Sequence, residues 1–198
     1  MLLGLVIGAI VGRRPLLRSV GWSLVWDEPL EPADAIVIAT DADGAGVLET
    51  ADLVHAKISS RVAVFADPPG VVDLEFIKRG VAYEDRGNRE TQQLRSLGIA
   101  VAEQVDVEGT NDEGRILPEW CDRESFRVLV VVTSADHSRR LQRVLRRAMK
   151  GHHTKVIVRR SRYSEFDPDR WWQTRMGTRS GLIELEKLLL DLVRHPFS

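Results

Sequence analysis

The chain holds a single cysteine, Cys121, so no disulfide can form within it and a disulfide scaffold is excluded. Aromatic residues make up only 6% of its 198 positions, which leaves little material for stacking nucleic-acid bases. No apolar run reaches the ~20 residues that a helix needs to cross a bilayer. Net charge is almost absent too: 28 basic residues stand against 29 acidic ones, giving −1. A disordered chain would show a larger charge imbalance and less than the 43% hydrophobic content found here. The length suits one domain with a real core.

The small net charge is a sum of two large terms. Before Phe126 the chain has 12 basic and 22 acidic residues, a net of −10; from Phe126 onward it has 16 and 7, a net of +9. Such asymmetry marks a polyanion or membrane partner, or else two halves that interleave in one fold and neutralise each other. Interleaving is the expectation, because strands shared in one sheet mix distant parts of a chain.

Residues 1–26 form an apolar segment and a short helix, and 27–198 a single domain. Met1 to Gly12 is uncharged and apolar, and Arg13, Arg14 and Pro15 follow. The run is too short to span a membrane unaided, and it lacks the positive region that precedes a secretory signal's apolar core. It reads as a shallow anchor, a buried first helix, or the end of a longer anchor. Membrane association is the expectation, with a cytoplasmic location as its alternative. Arg13, Arg14 and Arg18 favour a cytoplasmic flank if the run inserts, without fixing the side occupied by the domain.

From Ala33 onward, short apolar runs alternate with helical patterns, the signature of a parallel sheet with crossover helices. The strands are expected at 35–39, 61–66, 101–107, 128–133 and 155–158. Val128 to Thr133 is the most apolar and is expected at the centre, buried on both faces. Helices are expected at 46–58, 72–79, 89–97, 112–123, 136–149 and 180–193. In the last, the stripe Leu182, Leu185, Leu189 and Leu192 is expected to pack on the sheet. The fold class is therefore α/β: a Rossmann-like, doubly wound, five-stranded, mostly parallel sheet with helices on both faces. In such sheets ligands bind beyond the carboxyl ends of the strands, where strand order reverses.

The loops at those ends hold the candidate chemistry. After the first strand, Asp41, Asp43 and Gly44 could hold a divalent cation or a ribose, or simply turn the chain. After the second, Asp67-Pro68-Pro69-Gly70 offers few N–H donors, which disfavours a phosphate cradle. After the third, Thr110, Asn111 and Asp112 are N-cap candidates, and the helix start offers backbone N–H groups to an anion. Glu113 follows in the first turn. The fourth strand delivers Thr133, Ser134, Asp136, His137 and Arg140 within eight residues. At a helix start, the dipole disfavours a protonated His137 and leaves a neutral imidazole as a general base or a ligand. Arg140 can present a two-pronged fork to a phosphate or carboxylate. The helix that follows carries Arg139, Arg140, Arg143, Arg146, Arg147 and Lys150 as an outer basic stripe. That stripe is either a solvated face paired with neighbouring acids or a surface for anionic lipid or nucleic acid. No nucleic-acid-binding motif accompanies it.

Four features resemble the family of bacterial envelope proteins typified by YdcF, SanA and ElyC. They are Asp27-Glu28-Pro29 leading to Ala33-Asp34-Ala35-Ile36-Val37; the segment Glu108 to Gly114; Val132-Thr133-Ser134-Ala135-Asp136-His137 with Arg140; and Trp171-Trp172 followed by Glu184 and Lys187-Leu188. The resemblance spans about Leu16 to Leu192. It departs after the first strand, where Ala39-Thr40-Asp41-Ala42-Asp43-Gly44 replaces a glycine cluster, and after the second, where Ala66-Asp67-Pro68-Pro69 replaces Ser-Gly-Gly. Asn111-Asp112-Glu113-Gly114 replaces the usual Thr-x-Glu-Asn. The resemblance implies a Rossmann-like fold, anchoring at the bacterial inner membrane and a link to envelope integrity and lipid-carrier metabolism, with no particular reaction.

Two functions follow as expectations. The first is an enzyme acting on a phosphate-bearing, nucleotide-like or lipid-linked ligand. In it His137 and Glu113 are catalytic, and Asp41, Asp43, Gly44, Thr110, Thr133, Ser134 and Arg140 bind the ligand. Glu113, Asp41 or Asp43 would hold a water or a metal, whose identity the residues leave open, as they do any cofactor. The second is a membrane-associated binding module that does no chemistry. Nucleic-acid binding through the basic stripe ranks third, and its affinity would fall steeply with salt.

Overall fold

A computed structural model describes residues 2–197, with side chains from residue 13 onward. The apolar run expected as an anchor therefore lies outside the described side chains. Its backbone belongs to helix α1 (Leu2–Ser23). Among the described residues, no helix is long and apolar enough to cross a membrane.

Five strands form one sheet: β1 (Ala35–Ile38), β2 (Val62–Ala66), β3 (Val101–Asp106), β4 (Val128–Thr133) and β5 (Lys155–Arg160). Their order is β3-β2-β1-β4-β5 and every pairing is parallel, where the sequence pattern suggested a mostly parallel sheet. Crossover helices are α2 (Asp43–His55), the short α3 (Val71–Lys78), α4 (Arg86–Ser96), α5 (Thr110–Glu124) and α6 (Ser138–Ala148). A 3-10 turn at Trp171–Gln173 leads into α7 (Arg175–Arg194), which starts five residues before the expected 180.

The period-two alternation of the strands sorts the core into two layers. Ala35, Val37, Phe65, Leu129 and Val131 face α5 and α6, where they meet Leu117, Trp120, Leu141 and Leu145. Ile38, Val62 and Val64 face the other way, onto Val47, Ala51 and Leu94 of α2 and α4. Ile36, Val130, Val132 and Ile157 continue that second face. β4 is buried on both faces, as its uninterrupted valines require. A satellite cluster of Leu24, Val25, Ala135, Phe166, Trp171 and Leu188 sits just beyond the end of β4 and fastens the second half of α1 and α7 there.

One expectation about α7 is overturned, and one about the basic stripe is met in part. The leucine stripe of α7 does not pack on the sheet: Leu182, Leu189 and Leu192 are exposed. The helix docks instead through Gly177, Gly181, Glu184, Leu188 and Asp191. Close approach decides this, because a Cβ at Gly181 would lie 2.8 Å from the Trp171 ring and one at Gly177 2.5 Å from its carbonyl oxygen. Charge decides it too. Arg140 pairs with Glu184, and Arg143 and Arg147 pair with Asp191. Half of the basic stripe of α6, Arg140, Arg143 and Arg147, thus faces α7, while Arg139 reaches the carbonyls of Ser23 and Val25. Of its six members only Arg146 and Lys150 stay exposed.

The strands stay sorted by half, while the two halves neutralise each other in one fold as expected. The order β3-β2-β1-β4-β5 puts every strand of the acidic half on one side of the β1/β4 boundary and both strands of the basic half on the other. Neutralisation happens across that boundary through Arg159–Glu49 and Arg162–Asp52, and along β5 itself, where the acidic segment before β1 supplies Asp27 and Glu31 to Arg159 and Lys155.

Candidate functional site

Strand order reverses between β1 and β4, which makes their carboxyl ends the topological switch point of the sheet. The chain closes that point with polar side chains. Asp41, just past β1, accepts bonds from Thr133 Oγ1 at 2.9 Å and from the Ser134 backbone N at 3.1 Å, and the Ser134 hydroxyl adds another. The two hydroxyls expected to hold a ligand are therefore engaged with Asp41. Asp43 begins α2 with φ of 46°, a left-handed conformation that Asp tolerates better than most residues.

Glu113 lies fully buried on α5 beneath β1. Its Oε1 accepts from Thr40 N and Thr40 Oγ1, both at 2.9 Å, while Oε2 has no partner among the described residues. Burial, reinforced by Asp41, holds this carboxyl above its ordinary range despite the Thr40 bonds and His137.

His137 ends the turn between β4 and α6 and is only 3% exposed. Its Nδ1 lies 2.9 Å from Glu184 Oε2 on α7, and its Nε2 lies 3.1 Å from Thr110 Oγ1 at the start of α5. Asp41 Oδ1 stands 4.0 Å from Nε2. Arg140, one turn on, sets its fork on Glu184 (Nε to Oε2 at 2.8 Å, Nη2 to Oε1 at 3.3 Å), and Lys187 Nζ reaches Oε1 at 2.8 Å. Burial, the largest influence, favours the neutral imidazole and Arg140 adds to that effect; Asp41 and Glu184 together outweigh both and raise the His137 pKa. The helix dipole expected to disfavour the protonated ring is thus opposed by two carboxylates, which act at closer range than a partial charge. Burial alone would raise the Glu184 carboxyl. Its bonds from His137 and Arg140 instead bring it well below the usual range, so Nδ1 donates to an ionised Glu184.

The nine predicted residues divide in space. Asp41, Asp43, Gly44 and Ser134 line a cavity of about 610 Å³ with Asp136, Tyr163 and Glu165. Thr110 and Arg140 line another of about 490 Å³, between the start of α5 and the facing sides of α6 and α7, with Lys187 and Arg194. Glu113, Thr133 and His137 are buried between these groups. The first cavity is acidic and the second mostly basic. Among the described residues, no group of three or more His, Cys, Asp or Glu side chains is arranged to hold a metal ion.

Two participants escaped reasoning from residue pattern. Thr40 gave no signal, because its role depends on a partner 73 positions away. Glu184 entered only through the family resemblance. A signal existed in the spacing: Glu184 and Asp191 lie two turns apart, matching Arg140 and Arg147 on the facing helix.

The chain is thus an α/β protein with a buried polar relay, hydroxyl to imidazole to carboxylate, at one edge of its switch point. No known family profile matches it, and no curated protein does. Among solved structures it is similar to the universal stress protein from Archaeoglobus fulgidus in complex with dAMP. Identity is 16%, coverage is 63% of this chain and 95% of that one, and the TM-score is 0.39. A likeness at that level carries no functional argument.

Proposed function

We propose that the chain binds a phosphate-bearing small molecule, nucleotide-like or lipid-linked, in the basic cavity between α5, α6 and α7, and acts on it as an enzyme. The observation that carries this reading is the relay Thr110–His137–Glu184, whose hydroxyl end lines that cavity. A hydroxyl, an imidazole and an orienting carboxylate in this order constitute the arrangement of assisted nucleophilic attack. Deprotonated His137 takes the Thr110 proton as the oxygen attacks, then returns it to the leaving group. Lys187 and Arg194 attract the phosphate, and the α5 start adds backbone N–H groups. Asp41 and Asp43 line the acidic cavity, which suits ligand hydroxyls better than phosphate oxygens.

Membership of the YdcF, SanA and ElyC family, with attachment to the bacterial inner membrane through Met1 to Gly12, belongs to the same proposal. What supports it is that His137 and Arg140 from one quoted motif meet Glu184 and Lys187 from another in a single network.

One observation favours a binding module without chemistry: Asp41 and Glu184 favour protonated His137, and an imidazolium cannot accept the Thr110 proton. The experiment is a panel of nucleoside phosphates, pyrophosphate and a polyprenyl phosphate, scored for thermal shift and product. A ligand at 100 times its Kd adds about 2.7 kcal/mol to stability. Product formation that is lost in Thr110→Val and His137→Gln, with binding kept, supports the enzyme. Binding without product supports the module, and no binding in the panel overturns both.

A further inference from the structure

We propose that the outer face of α7 is a twofold interface between two copies of this chain. The helix has its amphipathicity turned outward. Its inward face carries two glycines, Glu184, Leu188 and Asp191, while Leu182 (52% exposed), Ile183 and Leu189 (54%) point away from the protein, flanked by Met176 (61%) and Leu190 at the rims of the acidic and basic cavities. Large apolar side chains contiguous on one helix face mark an interaction surface, unlike the same residues scattered singly.

The face is complementary to itself. On a helix of 3.6 residues per turn, Met176, Arg179, Leu182, Ile183, Glu186 and Leu189 share one broad arc opposite the buried side. Laid antiparallel about a twofold axis passing between Leu182 and Ile183, two copies set Leu182 against the partner's Ile183 and Met176 against the partner's Leu189. The same axis sets Arg179 against the partner's Glu186, twice. One operation thus satisfies both the apolar contacts and the charges, which is the requirement of an isologous interface. Both charged residues are exposed, and no hydrogen bond or ion pair within the described chain engages either. Charge complementarity is what selects a second copy over a lipid surface, because the negative surface potential of an anionic bilayer attracts Arg179 but repels Glu186, whereas the twofold pairs both.

The interface also bears on the network behind it. Glu184 and Asp191, which hold the arginines of α6, lie on the opposite side of the helix. Pairing would stiffen the element that orients His137.

Sedimentation of the full chain across a hundredfold range of concentration tests the proposal. The expected result is a reversible monomer–dimer equilibrium. Leu189→Glu should weaken it at least tenfold, and Arg179→Glu should do so by opposing like charges. The double variant Arg179→Glu/Glu186→Arg should restore it, which nonspecific apolar association would not show. A monomer at every concentration overturns the proposal, as does a dimer indifferent to the charge exchange. Vesicle binding that is lost in Leu189→Glu, with no dimer, assigns the face to lipid and overturns it equally. Circular dichroism spectra matching the wild type confirm that each variant is folded.

Discussion

Replacing Glu184 by Ala removes a single carboxylate on which three cations converge. His137 is buried and Arg140 nearly so, with a side chain 14% exposed, whereas Lys187 at 50% can recover water. Removing one partner of a buried ion pair costs about 3–5 kcal/mol, because the other charge stays behind uncompensated. The partial escape of Lys187 places this site near the lower end, about 3 kcal/mol. For a chain of this size each kcal/mol moves Tm by roughly 2–4 °C, so the expected fall is about 6–12 °C. The pH dependence gives the sharper test. The raised folded pKa of His137 contributes stability that is full below 6.5 and lost as pH rises through the folded value. The lowered pKa of Glu184 contributes stability present above 4.5 and lost as pH falls through its folded value. The gap between wild type and Glu184→Ala should therefore be widest between 4.5 and 6.5 and shrink as the solution is made alkaline. Urea unfolding at about pH 5.5 and about pH 8.5 reads it through the midpoints. A gap below about 1 kcal/mol at both, or one that grows with pH, refutes the coupling of imidazole to carboxylate.

Two further expectations concern groups outside the relay. Glu90 is buried on α4 with neither oxygen bonded among the described residues, and burial pushes its carboxyl up to about 8. A raised carboxyl loses stability as pH rises from 4.5 through that value, so Glu90→Gln should gain up to roughly 5 kcal/mol at alkaline pH and little in acid, measured by urea midpoints. Equal midpoints at both ends would sink that reading. Cys121 is buried and its thiol is pushed up to about 12, so a thiol reagent should label it only as the chain unfolds; labelling of the native protein in seconds would contradict its burial.

The sheet was legible because its information is local. Each strand announces itself by apolar β-branched residues, and the uninterrupted valines of β4 announced a strand buried on both faces. The site was legible in part, because the residues at the ends of β1, β3 and β4 lie near one another in any sheet of this type. Their division into an acidic and a basic cavity was not. It depends on α7, which contributes Lys187 and Arg194 from more than 40 positions beyond Arg140.

The amino-acid pattern by itself determined the class of fold, the central place of β4 and the concentration of polar chemistry at its carboxyl end. Burial of apolar strands and turn chemistry act over a few residues, so these needed no long-range contact. Only the tertiary structure decided which way α7 faces and which groups bear on the proton affinity of His137. A leucine stripe is an ordinary docking face until glycines and acids on the other side meet Trp171 and three arginines. A helix start favours a neutral imidazole, and two carboxylates from distant segments close on this one to favour its protonated form. Both outcomes turn on electrostatic and steric partners far away in the chain, and spacing alone does not record where those partners arrive.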